Sequence, residues 1–222
     1  MEFPLPGPIG ARAKAIAAVA IGLLMVALIA PAPRVWAGVE GARLSPDETR
    51  RLDAGELVQR PASRRQGSLS LMGGSSWQVI DAPVDAVWKA LLDTAHYPRM
   101  MPQVIEARLV EELPGERTVY LRQGRAGLLE KSYYLHIKVH EDRRDITFTV
   151  DDRRPHDVRA AWGFYSLRPY GAQGSLLAYG VMADVGDGLM MGLLREQVHD
   201  WMLRTPWLVK RFVEGSGRKL YQ

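Results

Sequence analysis

Val79-Ile80-Asp81-Ala82-Pro83-Val84-Asp85-Ala86-Val87-Trp88 joins two periodicities back to back. Residues 76–80 (SWQVI) read as a strand, and Asp81-Ala82-Pro83 stops it. Pro83 then opens a helix, VDAVWKALLD, whose Val84, Val87, Trp88 and Leu91 fall on one face at helical spacing. Residues 93–102 (DTAHYPRMMP) predict a second short helix or helical turn bounded by prolines.

Outward from this junction, six strand-like segments follow: 104–113, 117–125, 130–141, 145–151, 158–168 and 174–185. Pro114-Gly115 separates the first two, and Pro169-Tyr170-Gly171 with Gly174 makes the last hairpin. In 130–141, Tyr133, Leu135, Ile137 and Val139 face one way, and Tyr134, His136, Lys138 and His140 the other. A long helix is predicted over 189–213, kinked or restarted at Pro206. Met190, Leu194, Val198, Trp201, Leu208 and Phe212 lie near its apolar stripe. Short links between strands favour an antiparallel sheet. The expected fold is therefore α+β: a curved, seven-stranded antiparallel sheet wrapped around a long C-terminal helix, with two short helices after the first strand.

On the N-terminal side the texture changes. Residues 38–72 predict a short peripheral helix and a linker. Ser45 can cap that helix, Pro46 suits its first turn, and Asp47 and Glu48 face its positive dipole end. Residues 60–67 read as an exposed basic connector. Residues 15–30 (AIAAVAIGLLMVALIA) carry no charge, follow Arg12 and Lys14, and precede Pro31 and Pro33. Val35-Trp36-Ala37 offers a cleavage-like site before Gly38. Residues 1–37 thus describe a secretory signal or an uncleaved membrane anchor, with export or outward anchoring, for example to the periplasm, as the expected localisation.

The composition is ordinary for a globular chain, 47% hydrophobic and 24% charged over 222 residues, which excludes wholesale disorder. The absence of cysteine excludes disulfides, thiolate metal sites and a cysteine nucleophile. A net charge of +4, part of it from Arg12, Lys14 and Arg34, is too mild to indicate nucleic acid. His136 and His140 stand roughly 13 Å apart along one strand, too far to share a metal ion. The glycines of 186–192 do not keep dinucleotide-loop spacing and read as a turn into the last helix. No cofactor, metal site or catalytic set is expected.

The junction at 79–88, followed by Asp93, Pro98, Pro102 and Val104, and later by Trp162-Gly163-Phe164 and the closing helix, resembles the START/Bet v1-like superfamily. The resemblance is to its polyketide cyclase/dehydrase and coenzyme Q-binding branch, and it covers roughly 73–214 within a domain expected at 73–222. It implies a helix-grip fold around a cavity for a lipid or other apolar small molecule, with the mouth expected near 186–192. On that basis the wall residues are expected to be Tyr133, Leu135, Trp162, Phe164, Tyr165 and Tyr179 from the sheet, and Met190, Leu194 and Trp201 from the helix. Arg122 is expected as a charged contact, the alternative being that the tyrosines are core residues with satisfied hydroxyls and that Arg122 and Arg168 lie on the outer face. A cyclase or dehydratase acting on an apolar polyketide-like substrate is the alternative function, with Arg122, Tyr133, Tyr165 and Arg168 as its candidates. An envelope interaction module is a third reading. The C-terminal basic and aromatic residues Arg204, Lys210, Arg211, Arg218 and Lys219 with Trp201, Trp207, Phe212 and Tyr221 suit either an anionic membrane surface or, alternatively, charge compensation at the helix end and packing on the sheet.

Overall fold

The first helix forms where its capping signal lies. In the computed structural model, which describes residues 43–125, 128–186 and 189–221, α1 spans Pro46–Asp53. Ser45 and Glu48 close a reciprocal capping box: the Glu48 N–H donates to Ser45 Oγ (3.2 Å) and the Ser45 N–H to Glu48 Oε2 (2.7 Å). All described residues belong to one compact unit. The expected signal or anchor at 1–37 lies outside them. Among the described residues, no helix is long and apolar enough to cross a membrane.

After α1 come β1 (Val58–Gln66), β2 (Leu69–Ile80), α2 (Val84–Leu92), a 3-10 turn at Thr94–His96, and α3 (Tyr97–Met100). The remaining strands are β3 (Val104–Leu113), β4 (Glu116–Arg125), β5 (Leu128–His140), β6 (Asp145–Val150), β7 (Ala160–Tyr170) and β8 (Gly174–Asp184). Three helices close the chain: α4 (Leu189–Leu203), α5 (Thr205–Glu214) and α6 (Arg218–Tyr221). The strands form one antiparallel sheet in the order β1-β2-β8-β7-β6-β5-β4-β3.

The sheet has eight strands where seven are expected, because the connector at 60–67 is largely β1. Most of β1 is exposed on both faces, so it carries no apolar alternation to betray it. Pro61 is tolerated there because β1 is an edge strand. Its charges have structural work: Arg60 clamps Glu48 at 2.6 and 2.7 Å and lies 4.9 Å over the Trp77 ring. Trp77, Leu52 and Val58 form a small core between α1 and the outer face of the sheet.

The closing helix restarts near its proline, one of the two outcomes expected there, and so forms α4 and α5. Pro206 takes the second position of α5, where its missing N–H costs nothing, and α4 ends at Leu203. The Thr205 hydroxyl donates to the Met202 carbonyl at 3.1 Å, serving one carbonyl left open by the break. The main core lies between the inner face of the sheet and α2, α3 and α5. α5 is fastened to the end of β2: Lys210 Nζ donates to the Val79 carbonyl (3.0 Å) and the Asp81 N–H to Glu214 Oε1 (2.7 Å). Bulges in β3 and β4 bend the sheet. Gly73 allows β8 a close approach, since a Cβ there would lie 1.9 Å from the Val181 carbonyl oxygen.

Candidate functional site

Strand parity builds the site. On β4, Val119 and Leu121 point inward, so Arg117 and Gln123 share their face. On β5 the inward set is Lys131, Tyr133, Leu135 and Ile137. Phe148 on β6, Tyr165 on β7, and Tyr179 and Val181 on β8 complete the concave wall. Helices α2, α3 and α4 fill only part of this concavity. What remains is a cavity of about 970 Å³, at the upper end of the range for small-molecule sites.

An aromatic cluster forms its floor. Tyr165 and Tyr179 have ring centroids 4.9 Å apart, and Phe148 lies 5.8 Å from Tyr165 and 6.4 Å from Tyr179. Burial pushes the phenols of Tyr133, Tyr165 and Tyr179 well above their ordinary range, with neighbouring tyrosines adding to the effect at Tyr133 and Tyr165. The surface that Tyr133 and Tyr165 retain faces the cavity. Burial also raises Tyr97 to about 12. Its hydroxyl donates to the Leu91 carbonyl at 2.6 Å. These phenols are neutral hydrogen-bonding groups at ordinary pH, suited to orienting a ligand oxygen.

Five of the ten expected wall residues line the cavity: Tyr133, Leu135, Tyr165, Tyr179 and Trp201. Three do not. Arg122 lies one residue out of phase with Leu121 and Gln123, on the outer face, where it pairs with Glu130 at 3.1 Å and Glu106 at 3.5 Å. Trp162 and Phe164 alternate with the cavity-lining Ala161 and Tyr165, and so project from the opposite face. Met190 and Leu194 fall within α4, and their side chains lie outside the described residues. The expected mouth at 186–192 falls partly outside them too. Val185 reaches the cavity just before it.

Arg168, a candidate for the enzyme reading, also points outward and bonds Asp145 Oδ1 (2.9 Å) and the Arg143 carbonyl (2.6 Å). The polar groups that do reach the cavity include Arg117, Gln123 and Lys131, which type-based selection overlooks and parity with Val119 and Tyr133 would have found. Arg117 is held by Glu112 and donates to the Leu92 carbonyl at 2.8 Å. Among the described lining residues there is no histidine, and the one carboxylate, Asp200, is paired with Arg204 at 2.8 Å. The described residues hold no group of three metal-ligating side chains.

The C-terminal basic and aromatic residues are mostly engaged in packing. Phe212 is buried and Lys210 is paired with Glu214 at 2.7 Å. Tyr221 donates to Asp93 Oδ2 at 2.9 Å, and Arg211 stacks 4.8 Å over Trp207.

A curved antiparallel sheet closed by helices over an apolar cavity defines a helix-grip ligand-binding protein. The chain belongs to the polyketide cyclase/dehydrase and lipid transport family, whose model matches residues 80–206, more than half of it. Similar solved structures include a STAR-related lipid transfer protein from Xanthomonas axonopodis, with 18% identity, 71% of this chain and 99% of that one covered, and a TM-score of 0.55. The Zhui aromatase/cyclase from Streptomyces sp. R1128 matches with 18% identity, 66% and 98% coverage, and a TM-score of 0.53. A START superfamily protein from Mycobacterium smegmatis matches with 15% identity, 64% and 97% coverage, and a TM-score of 0.51. At these identities the likeness shows the fold. A search of curated proteins found no match.

Proposed function

We propose that this protein is a carrier that holds one lipid or other apolar small molecule in its internal cavity, outside the cytoplasm. The observation behind this reading is a space of about 970 Å³ walled mostly by apolar and neutral phenolic side chains. The uncharged run at 15–30 after Arg12 and Lys14 supports export or outward anchoring. Trp207 with Arg211, and the basic Arg218 and Lys219, supply a surface for transient contact with an anionic membrane during exchange. Extraction of the purified full chain followed by mass spectrometry tests the reading. A single class of apolar molecule at about one per chain is expected. Recovery of none, together with failure to bind added lipid, rejects it. Fusion of 1–37 to an export reporter tests the localisation.

A cyclase-type activity is the second reading, favoured by the convergence of Tyr133, Tyr165, Tyr179 and Arg117 on one space. Turnover of a polyketide-like substrate that falls in Tyr165→Phe without loss of binding would select it.

A further inference from the structure

The polar groups of the cavity are unevenly distributed. Along β5, Lys131 stands one inward position beyond Tyr133, and its Cα partner across the ladder is Gln123. Gln123 is also the register partner of Val104, next to Gln103, and the adjoining Gly124 N–H donates to the Gln103 carbonyl at 2.9 Å. Gln103, Gln123 and Lys131 therefore meet at one end of the cavity, where β3 begins and β4 and β5 approach their turn. The other wall residues of β4 and β5, apart from Arg117 and Tyr133, are aliphatic.

Two features of that corner call for a partner. Gln103 lines the cavity at 8% exposure, and its Oε1, as placed, is closed off from that space and has no hydrogen bond. A buried amide oxygen left unpaired is destabilising. Rotation of the amide about its last bond brings either its N–H2 group or its oxygen to the cavity surface, so the side chain can serve as donor or acceptor. The second feature is charge. Among the described lining residues, three cations stand against one carboxylate. Arg117 is paired with Glu112 and Arg204 with Asp200, whereas Lys131 has no ion pair among the described residues. A partly buried ammonium beside an apolar space attracts a negative group more strongly than it would in water.

We infer that the cavity takes an amphipathic ligand with an acidic head, its carboxylate or phosphate held by Lys131 with Gln103 and Gln123, and its apolar body laid along Leu121 and Leu135 toward the aromatic floor. This rests on the carrier reading and names the class of its cargo. The three groups contribute differently. Lys131 supplies charge, and the two amides supply directed hydrogen bonds that fix the head.

The test uses a dansyl-tagged fatty acid and its methyl ester, identical but for the head charge, titrated into the full chain freed of endogenous lipid. The acid should bind about tenfold more tightly than the ester, or about 1.4 kcal/mol. The ratio should fall to about one in Lys131→Met and persist in Lys131→Arg. Gln103→Leu should weaken the acid severalfold. Thermal denaturation of each variant verifies that it is folded. A ratio near one in the unaltered protein, or a ratio that survives Lys131→Met, overturns the inference and leaves the carrier reading standing. If neither probe binds and added phospholipid does not bind either, both fall.

Discussion

Filling the cavity should abolish binding without unfolding the protein. Ala161 and Ala183 are direct partners across β7 and β8, and both line the cavity. Ala161→Phe with Ala183→Phe would send two rings into the space. Burying a Phe side chain is worth about 1.5–3 kcal/mol. Forcing one into a filled interior costs about 1–3 kcal/mol in displaced neighbours. With about 970 Å³ available, the first effect governs and the melting temperature should hold or rise. Were the interior packed, two such insertions would cost roughly 2–6 kcal/mol, and each kcal/mol lowers Tm by about 2–4 °C in a chain of this size. Circular dichroism melts and titration with a fluorescent lipid read the two outcomes separately. A fall of about 10 °C or more would refute the cavity. A stable double variant with undiminished affinity would refute the placement of the ligand.

Gly163→Ala should be costly for the opposite reason. Its Cβ would lie 2.3 Å from both the Gly180 carbonyl oxygen and Phe148 Cζ, so a loss of about 3 kcal/mol is expected by urea denaturation. Phe148→Leu in that background should recover only part of the loss, because the Gly180 oxygen is backbone. Stability should also decline in alkali. The phenols of Tyr97, Tyr133, Tyr165 and Tyr179 are raised by burial above the ordinary value of 10.0. The stability they confer is complete below pH 10 and declines as pH rises above it, for Tyr97 through about 12 and for the other three phenols at still higher pH. Denaturation at stepped pH with tyrosinate absorbance measures this, and a flat profile would mean that water reaches the phenols freely. In acid, the hydrogen bonds from Arg60 and the Ser45 N–H hold Glu48 down at about 2 from 4.5. Its contribution is present above pH 4.5 and lost as pH falls toward 2. Glu48→Gln should cost about 1 kcal/mol at neutral pH and flatten the acid limb of the stability profile.

Periodicity reveals an element only where one of its faces is buried, and the legible parts of this chain follow that rule. The Val79 to Trp88 junction, the strands from Val104 to Asp184 and the apolar stripe of the closing helices all pack against the core, and their boundaries can be read to within a few residues. β1 packs through only its first residues, so RPASRRQ resembles a connector even though its ladder with β2 runs from Val58 to Gln66. The helix break at Arg204 is legible as chemistry, through Pro206, but its placement depends on which turn can lose an N–H. The site poses a different difficulty. Selecting wall residues by type favours Arg122, Trp162 and Phe164, since charge and aromatic surface suggest binding. Selecting by parity favours Lys131, Gln123 and Arg117, which accompany Tyr133, Leu121 and Val119 on the inward face. Both criteria find Tyr133, Tyr165 and Tyr179, because these tyrosines are conspicuous in type and correct in phase. Phase outweighs type in a strand, since a shift of one residue moves a side chain to the other face of the sheet. Once Tyr165 is placed inside, its register partners Ile146 and Tyr179 must be inside as well, and its neighbour Phe164 must be outside. Gln103 escapes both criteria: it precedes β3, and only the path of the chain into the sheet turns it toward the cavity.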